Sequence, residues 1–201
     1  MQNLFIIHSY NADTRESFGL DLQNKAEELG LKVYFPDFPT RKNARYNSWR
    51  EIMDGYRIRD ELNSESIIVA HSLGAHFIPK YISESNISIK MYVSCAGFLN
   101  DHSGRQDLQE IVNDFKPTDE QIERFIGLCN SRFSIYSNND HMNPQEELEN
   151  YADRFCATRV FVPDVGHMGK SSGIKELPKV IELINAEVNN NGKKGKCLYK
   201  L

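Results

Sequence analysis

Apolar residues along the chain fall into two alternating patterns. Short runs, "LFIIHS", "KVYFP", "SIIVAHS", "IKMYVSC", "RFSIYS" and "RVFVPD", each span about one strand, and several are apolar at consecutive positions. Strands of a parallel sheet covered on both faces read this way. Between the runs, apolar residues recur at helical spacing: Trp49, Ile52, Met53 and Tyr56 after Ser48, and Leu148, Tyr151, Ala152 and Phe155 after Asn143. Each set makes one stripe that can pack on a sheet. Asp13 with Glu16, Ser48 with Glu51, Thr118 with Gln121 and Asn143 with Glu146 place a capping oxygen three residues ahead of a Glu or Gln, a helix-start signature. The alternation predicts a doubly wound α/β architecture with right-handed crossovers: a mostly parallel central sheet of about six strands, helices on both faces, and a site at the carboxyl ends of the strands.

Composition narrows the picture. The chain has 201 residues, 40% of them hydrophobic, enough for one well-buried core. No internal repeat or Pro-, Gly- or Ser-rich linker divides it, so residues 1–188 read as a single domain. The closing "NNNGKKGKCLYKL" (189–201) loses apolar periodicity and reads as a flexible polar and basic tail. A formal charge of −4 leaves no broad basic face for a phosphate backbone, so no nucleic-acid partner is expected. Cys95, Cys129, Cys156 and Cys197 lack zinc-site spacing and read as reduced, mostly buried thiols. "MQNLFIIHSY" lacks the basic leader and long apolar core of a signal peptide, and no later stretch reaches membrane-spanning length; the expected location is cytoplasmic. "HSYNADTRES" after the first strand carries no Gly-rich phosphate loop, so no nucleotide cofactor is expected.

The candidate chemistry centres on "IIVAHSLGAHF", residues 67–77. Ser72 falls on a sharp turn from strand to helix, between the small residues Ala70 and Gly74 that a strained, closely packed turn requires. Ala70 stands where glycine is commoner. Pro79 removes one backbone bond and is expected to kink the helix near Ala75. His71, beside the serine, points away from it and is read as structural. After "RFSIYS", "NNDHMNP" puts Asp140 just past a strand end; after "RVFVPD", "VGHMG" puts His167 in a glycine-flanked loop. Taken alone, Asp140 reads as a turn or helix-capping aspartate and His167 as a loop histidine. Together, Ser72, Asp140 and His167 stand in the chain order that nucleophile, acid and base take when each follows a strand of such a sheet. His141 reads as a surface residue. His76 and His102 have no partner pattern, and no histidine pair shows metal-ligand spacing, so neither metal nor cofactor is expected.

With these residues in place the chain resembles the α/β-hydrolases, and more narrowly the small serine hydrolases of the YdeN and retinoblastoma-binding protein nine family. The resemblance rests on "IIHSY", "FPDFP" ahead of a Trp-bearing helix, "VAHSLGA", "SNNDHMNP", "VGHMG" and "LPKVIELI", and covers nearly the whole chain except the tail. It implies an α/β-hydrolase-like three-layer sandwich and cleavage of small acyl esters or thioesters through an acyl-enzyme, with Ser72 as nucleophile, His167 as base and Asp140 orienting the imidazole. The family's first motif is usually His-Gly with more small residues, whereas this chain has His8, Ser9 and Tyr10. An oxyanion hole is implied from the backbone N–H groups of Leu73 and a residue of this loop, assigned to Tyr10 with Asn11 as the alternative. His8, Phe98, Leu99 and Met168 are the candidate substrate-binding residues, with Ile111 beside them. The short segment between Cys95 and Arg132 leaves room for a small lid but no cap domain. The expected partner is a small-molecule acyl substrate. A protein partner cannot be read from the sequence, and there is no Leu-x-Cys-x-Glu stretch to support retinoblastoma binding. The rival reading is a catalytically weak hydrolase scaffold serving as a protein- or ligand-binding module, favoured by the unusual "HSY" loop and Pro79 and opposed by the intact Ser, Asp and His set.

Overall fold

Each of the six apolar runs becomes a strand in the computed structural model, which describes residues 2–102 and 104–190. They are β1 (Asn3–Ile7), β2 (Lys32–Tyr34), β3 (Ile67–His71), β4 (Ile89–Cys95), β5 (Cys129–Tyr136) and β6 (Thr158–Phe161), in the order β2-β1-β3-β4-β5-β6. All five neighbouring pairs are parallel. Parallel neighbours need crossovers, and the helices supply them: α1 (Leu20–Glu28), α2 (Tyr46–Ile58), α3 (Leu73–Ser85), α4 (Gln106–Phe115), α5 (Asp119–Leu128), α6 (Gln145–Arg154) and α7 (Pro178–Asn190).

Consecutive apolar positions are explained by two cores, one on each face. Leu4, Ile6, Ile67, Val69, Met91 and Val93 pack with Leu22 and Ala26 of α1 and Val180 and Ile184 of α7. The alternate residues Phe5, Ile7, Ile68, Ala70 and Tyr92 pack with Trp49 of α2, Phe77 of α3, Phe125 of α5 and Tyr151 of α6. The result is a three-layer α/β sandwich. β1 lies between β2 and β3, so the chain leaves it in one direction and returns on the other side. The loop after β1 and the turn after β3 therefore meet at a topological switch point, the usual place for a ligand crevice.

Helix starts match one of the four expected signatures and differ from the other three. Thr118 and Gln121 do form a reciprocal capping box on α5. Ser48 lies inside α2, which starts at Tyr46, and the Tyr46 N–H is instead met at 2.8 Å by Asp114 Oδ2 of α4. Asn143 stays outside α6, and Asp13 precedes a short irregular turn, Arg15–Gly19, ahead of α1. Pro79 sits inside α3, which continues through it. The Ala75 carbonyl, which has no N–H to accept from at Pro79, accepts instead from the hydroxyls of Tyr151 at 2.8 Å and Tyr92 at 3.2 Å.

α7 runs to Asn190, two residues into the segment read as a tail; residues 191–201, the rest of that segment, lie outside the described residues, as does Cys197. Cys95 and Cys129 are buried free thiols and Cys156 is an exposed one. Among the described residues no helix is long and apolar enough to cross a membrane.

Candidate active site

Ser72 joins β3 to α3 with φ 53° and ψ −113°, a left-handed conformation strained for any residue with a side chain. Its N–H is anchored at 3.0 Å on the Cys95 carbonyl at the end of β4. Gly74 lets α3 approach β1: a Cβ there would lie 2.9 Å from Ile7 Cγ2 and 3.0 Å from the His8 carbonyl. The strained turn is thus clamped between the two flanking strands, and the serine hydroxyl stands at the carboxyl edge of the sheet.

Two later loops converge on it. His167 Nε2 is 2.9 Å from Ser72 Oγ, and its Nδ1 is 2.8 Å from Asp140 Oδ2. The other oxygen of Asp140 accepts the Met142 and Asn143 N–H groups at 2.8 and 3.1 Å. One oxygen makes the turn and the other meets the imidazole. The Asp140 side chain is 1% exposed, and burial alone would raise its pKa. The hydrogen bonds from His167, Met142 and Asn143 outweigh burial and hold it below the usual carboxylate range. An ionised Asp140 can only accept, so Nδ1 carries the imidazole proton and the Nε2 lone pair faces the serine hydroxyl.

The loop bearing His167 is held by side chains just ahead of Asp140. Ser137 Oγ accepts the Val165 N–H at 3.2 Å, and Asn139 Oδ1 accepts the Gly166 N–H at 2.7 Å. Gly166 takes a φ of 58°, which suits glycine. "SNND" is therefore a cradle joining the two loops. Sequence reading missed Ser137 and Asn139; polar residues crowded at a strand end were the only hint.

A cavity of about 140 Å³ opens over Ser72 and His167. Tyr10, Asn11 and Leu73 line one side, Phe98, Leu108, Val112 and Met142 supply apolar walls, and His141 stands at the exposed rim. Leu108 and Val112 belong to α4, which lies in the segment where the sequence leaves room for a small lid. Leu73 is the first residue of α3, where an N–H has no intrahelical acceptor.

Of the candidate substrate-binding residues, Phe98 lines this cavity; His8, Leu99 and Met168 do not. His8 is buried among Phe38 and Trp49, with Nδ1 2.6 Å from the Ser9 carbonyl and Nε2 accepting the Phe38 N–H at 3.2 Å, so both ring nitrogens are engaged. Leu99 packs on the core while its N–H donates to Glu147 at 2.7 Å. Met168 is wholly buried on the α1 and α7 side of the sheet. Ile111 faces a separate groove with Lys42 and Arg45. His76 is buried edge-on to Phe98, and burial pushes its pKa down to about 3. No group of three or more His, Cys, Asp or Glu side chains is arranged for a metal among the described residues.

A family model described as serine hydrolase matches residues 22–186. Among solved structures, the ydeN gene product of B. subtilis superposes with a TM-score of 0.81 at 21% identity, over 94% of this chain and 100% of that one. The meta-cleavage product hydrolase CumD of Pseudomonas fluorescens gives 0.68 at 13% identity, over 95% of this chain and 92% of that one. Est1E of Butyrivibrio proteoclasticus, solved with ferulic acid, gives 0.66 at 12% identity, over 96% and 88%. These likenesses establish a shared fold. No curated protein matches the sequence significantly.

Proposed function

The chain belongs to the serine hydrolase family, and from that premise we propose that it hydrolyses small acyl esters or thioesters through a covalent acyl-enzyme on Ser72. The observation that carries this is the unbroken hydrogen-bonded line from Asp140 through His167 to a serine held on a strained turn. Ser72 Oγ attacks the substrate carbonyl carbon as its proton passes to His167 Nε2; Asp140 stabilises the imidazolium through Nδ1–H. The tetrahedral intermediate collapses as the alcohol or thiol leaves with the proton from Nε2. Water, deprotonated by the same nitrogen, then releases the acid and restores Ser72. The oxyanion is met by the backbone N–H groups of Leu73 and Tyr10, and loss of one such donor costs about a hundred- to a thousandfold in turnover.

The size of the cavity limits the acyl group. Apolar cavities of about 150 Å³ accept a benzene-sized guest, so a 140 Å³ space walled by Phe98, Leu108 and Val112 suits an acyl chain of about six heavy atoms. The two features that favour a binding module have structural roles of their own: Pro79 leaves a carbonyl that two tyrosines satisfy, and the "HSY" loop is bonded into its surroundings through His8 and Ser9.

A fluorophosphonate probe tests the reading without knowledge of the substrate. Wild-type protein should label at one site, Ser72→Ala should not label, and His167→Ala and Asp140→Asn should label far more slowly. A folded wild-type protein that stays unlabelled overturns the reading.

A further inference from the structure

His71 is buried beside Ser72 yet makes no use of that proximity. Its Nε2 lies 2.8 Å from the backbone carbonyl of His167, and its Nδ1 lies 2.8 Å from Thr14 Oγ1. A carbonyl can only accept, so Nε2 carries the hydrogen. A neutral imidazole has one N–H, so Nδ1 accepts the Thr14 hydroxyl. Thr14 Oγ1 in turn accepts the Ser9 N–H at 3.1 Å. The three bonds run in one direction, from the loop after β1, through the residue before the nucleophile, to the backbone of His167. Burial, reinforced by the neighbouring His167, pushes the His71 pKa down to about 4, which keeps the ring neutral near pH 7.

A second grip comes from the same loop. Asp13 Oδ2 accepts the Lys170 N–H at 3.0 Å, while its other oxygen takes the Ser9 hydroxyl. Ser9, in place of the usual glycine, thus bonds both Thr14 and Asp13, and the loop bearing His167 is held at two points, the carbonyl of residue 167 by His71 and the N–H of residue 170 by Asp13.

We infer that His71 is a positioning residue for the general base: with its tautomer fixed by Thr14, it sets the backbone of His167 so that Nε2 meets Ser72 Oγ. This rests on the proposed roles of Ser72 and His167. Since a misplacement of about 1 Å can cost about a hundredfold in rate, loss of the Nε2 donor should slow the chemical step and leave ligand binding alone.

The test is the saturating rate and half-saturation of fluorophosphonate labelling for the full chain, with folding followed by circular dichroism. His71→Phe, which keeps the volume and removes both bonds, should label about 10- to 100-fold more slowly at unchanged half-saturation. His71→Gln, whose amide can still donate to the carbonyl, should recover to within about threefold of wild type. Thr14→Val should label more slowly than wild type, and it carries the test if His71→Phe does not fold. A wild-type rate in His71→Phe or Thr14→Val, or no recovery in a folded His71→Gln, overturns the inference while labelling of wild type leaves Ser72 as nucleophile intact. Absence of wild-type labelling overturns both.

Discussion

Ser72 occupies a backbone conformation that costs a non-glycine residue about 1 to 3 kcal/mol, and its surroundings hold it there. Ser72→Gly should therefore raise the urea midpoint, with a gain of about 1 kcal/mol, while abolishing probe labelling. A midpoint at or below that of wild type would show that the clamp on β1 and β4 carries no strain. Asp140→Asn keeps an acceptor for the Met142 and Asn143 N–H groups but no longer favours the Nδ1–H tautomer of His167. Turnover of short nitrophenyl esters should fall about 10⁴-fold with little change in stability. The order Ser72, Asp140, His167 was legible because each residue follows a strand-like run and local turn chemistry. His71, Thr14, Asp13 and Asn139 were not legible as supports, because their partners come from distant loops and their hydrogen bonds leave no periodic trace.

The strands were the most legible elements, since burial on both faces writes a largely apolar run into the central β1, β3 and β4, and the more exposed edge strands β2 and β6 still carry short apolar stretches. Helix starts were the least: only Thr118 and Gln121 cap locally as their spacing suggests, whereas α2 takes its cap from Asp114 across the fold. Pro79 was legible as a broken backbone bond but not in its remedy, because Tyr92 and Tyr151 come from β4 and α6. That remedy predicts a coupled pair of substitutions. Tyr151→Phe weakens the satisfaction of the buried Ala75 carbonyl and should cost about 1 to 3 kcal/mol. In a Pro79→Ala background the residue 79 N–H can return to Ala75, and the same substitution should cost less. Urea denaturation of the four proteins measures the difference; equal costs in both backgrounds would sever the link between the proline and the tyrosines.

For the molecule as a whole, the two most strongly shifted of the three buried histidines set an acid limit, His8 being lowered as well. The pKa values of His71 and His76 are pushed down from 6.5 to about 4 and about 3, chiefly by burial. Below pH 6.5 the unfolded chain takes up protons that the folded chain refuses, so stability falls as pH falls toward 4. Each histidine should account for about 3 kcal/mol of that loss by pH 4, whereas the depressed carboxyls of Asp13 and Asp140 act at lower pH. Urea midpoints between pH 7 and 4 should therefore drop less steeply in His76→Phe than in wild type; parallel slopes would show that His76 is protonated in the folded chain. The parallel sheet has a further consequence, which concerns time. β1 pairs with β3 across α1, β2 and α2, the Ser72 turn is pinned by β4, and the loop that reaches Ser72 follows β6. Loop closures of that span are the slow steps of folding, so in a refolding chain the serine gains its hydrogen-bond partner only when the last of the distant segments arrives.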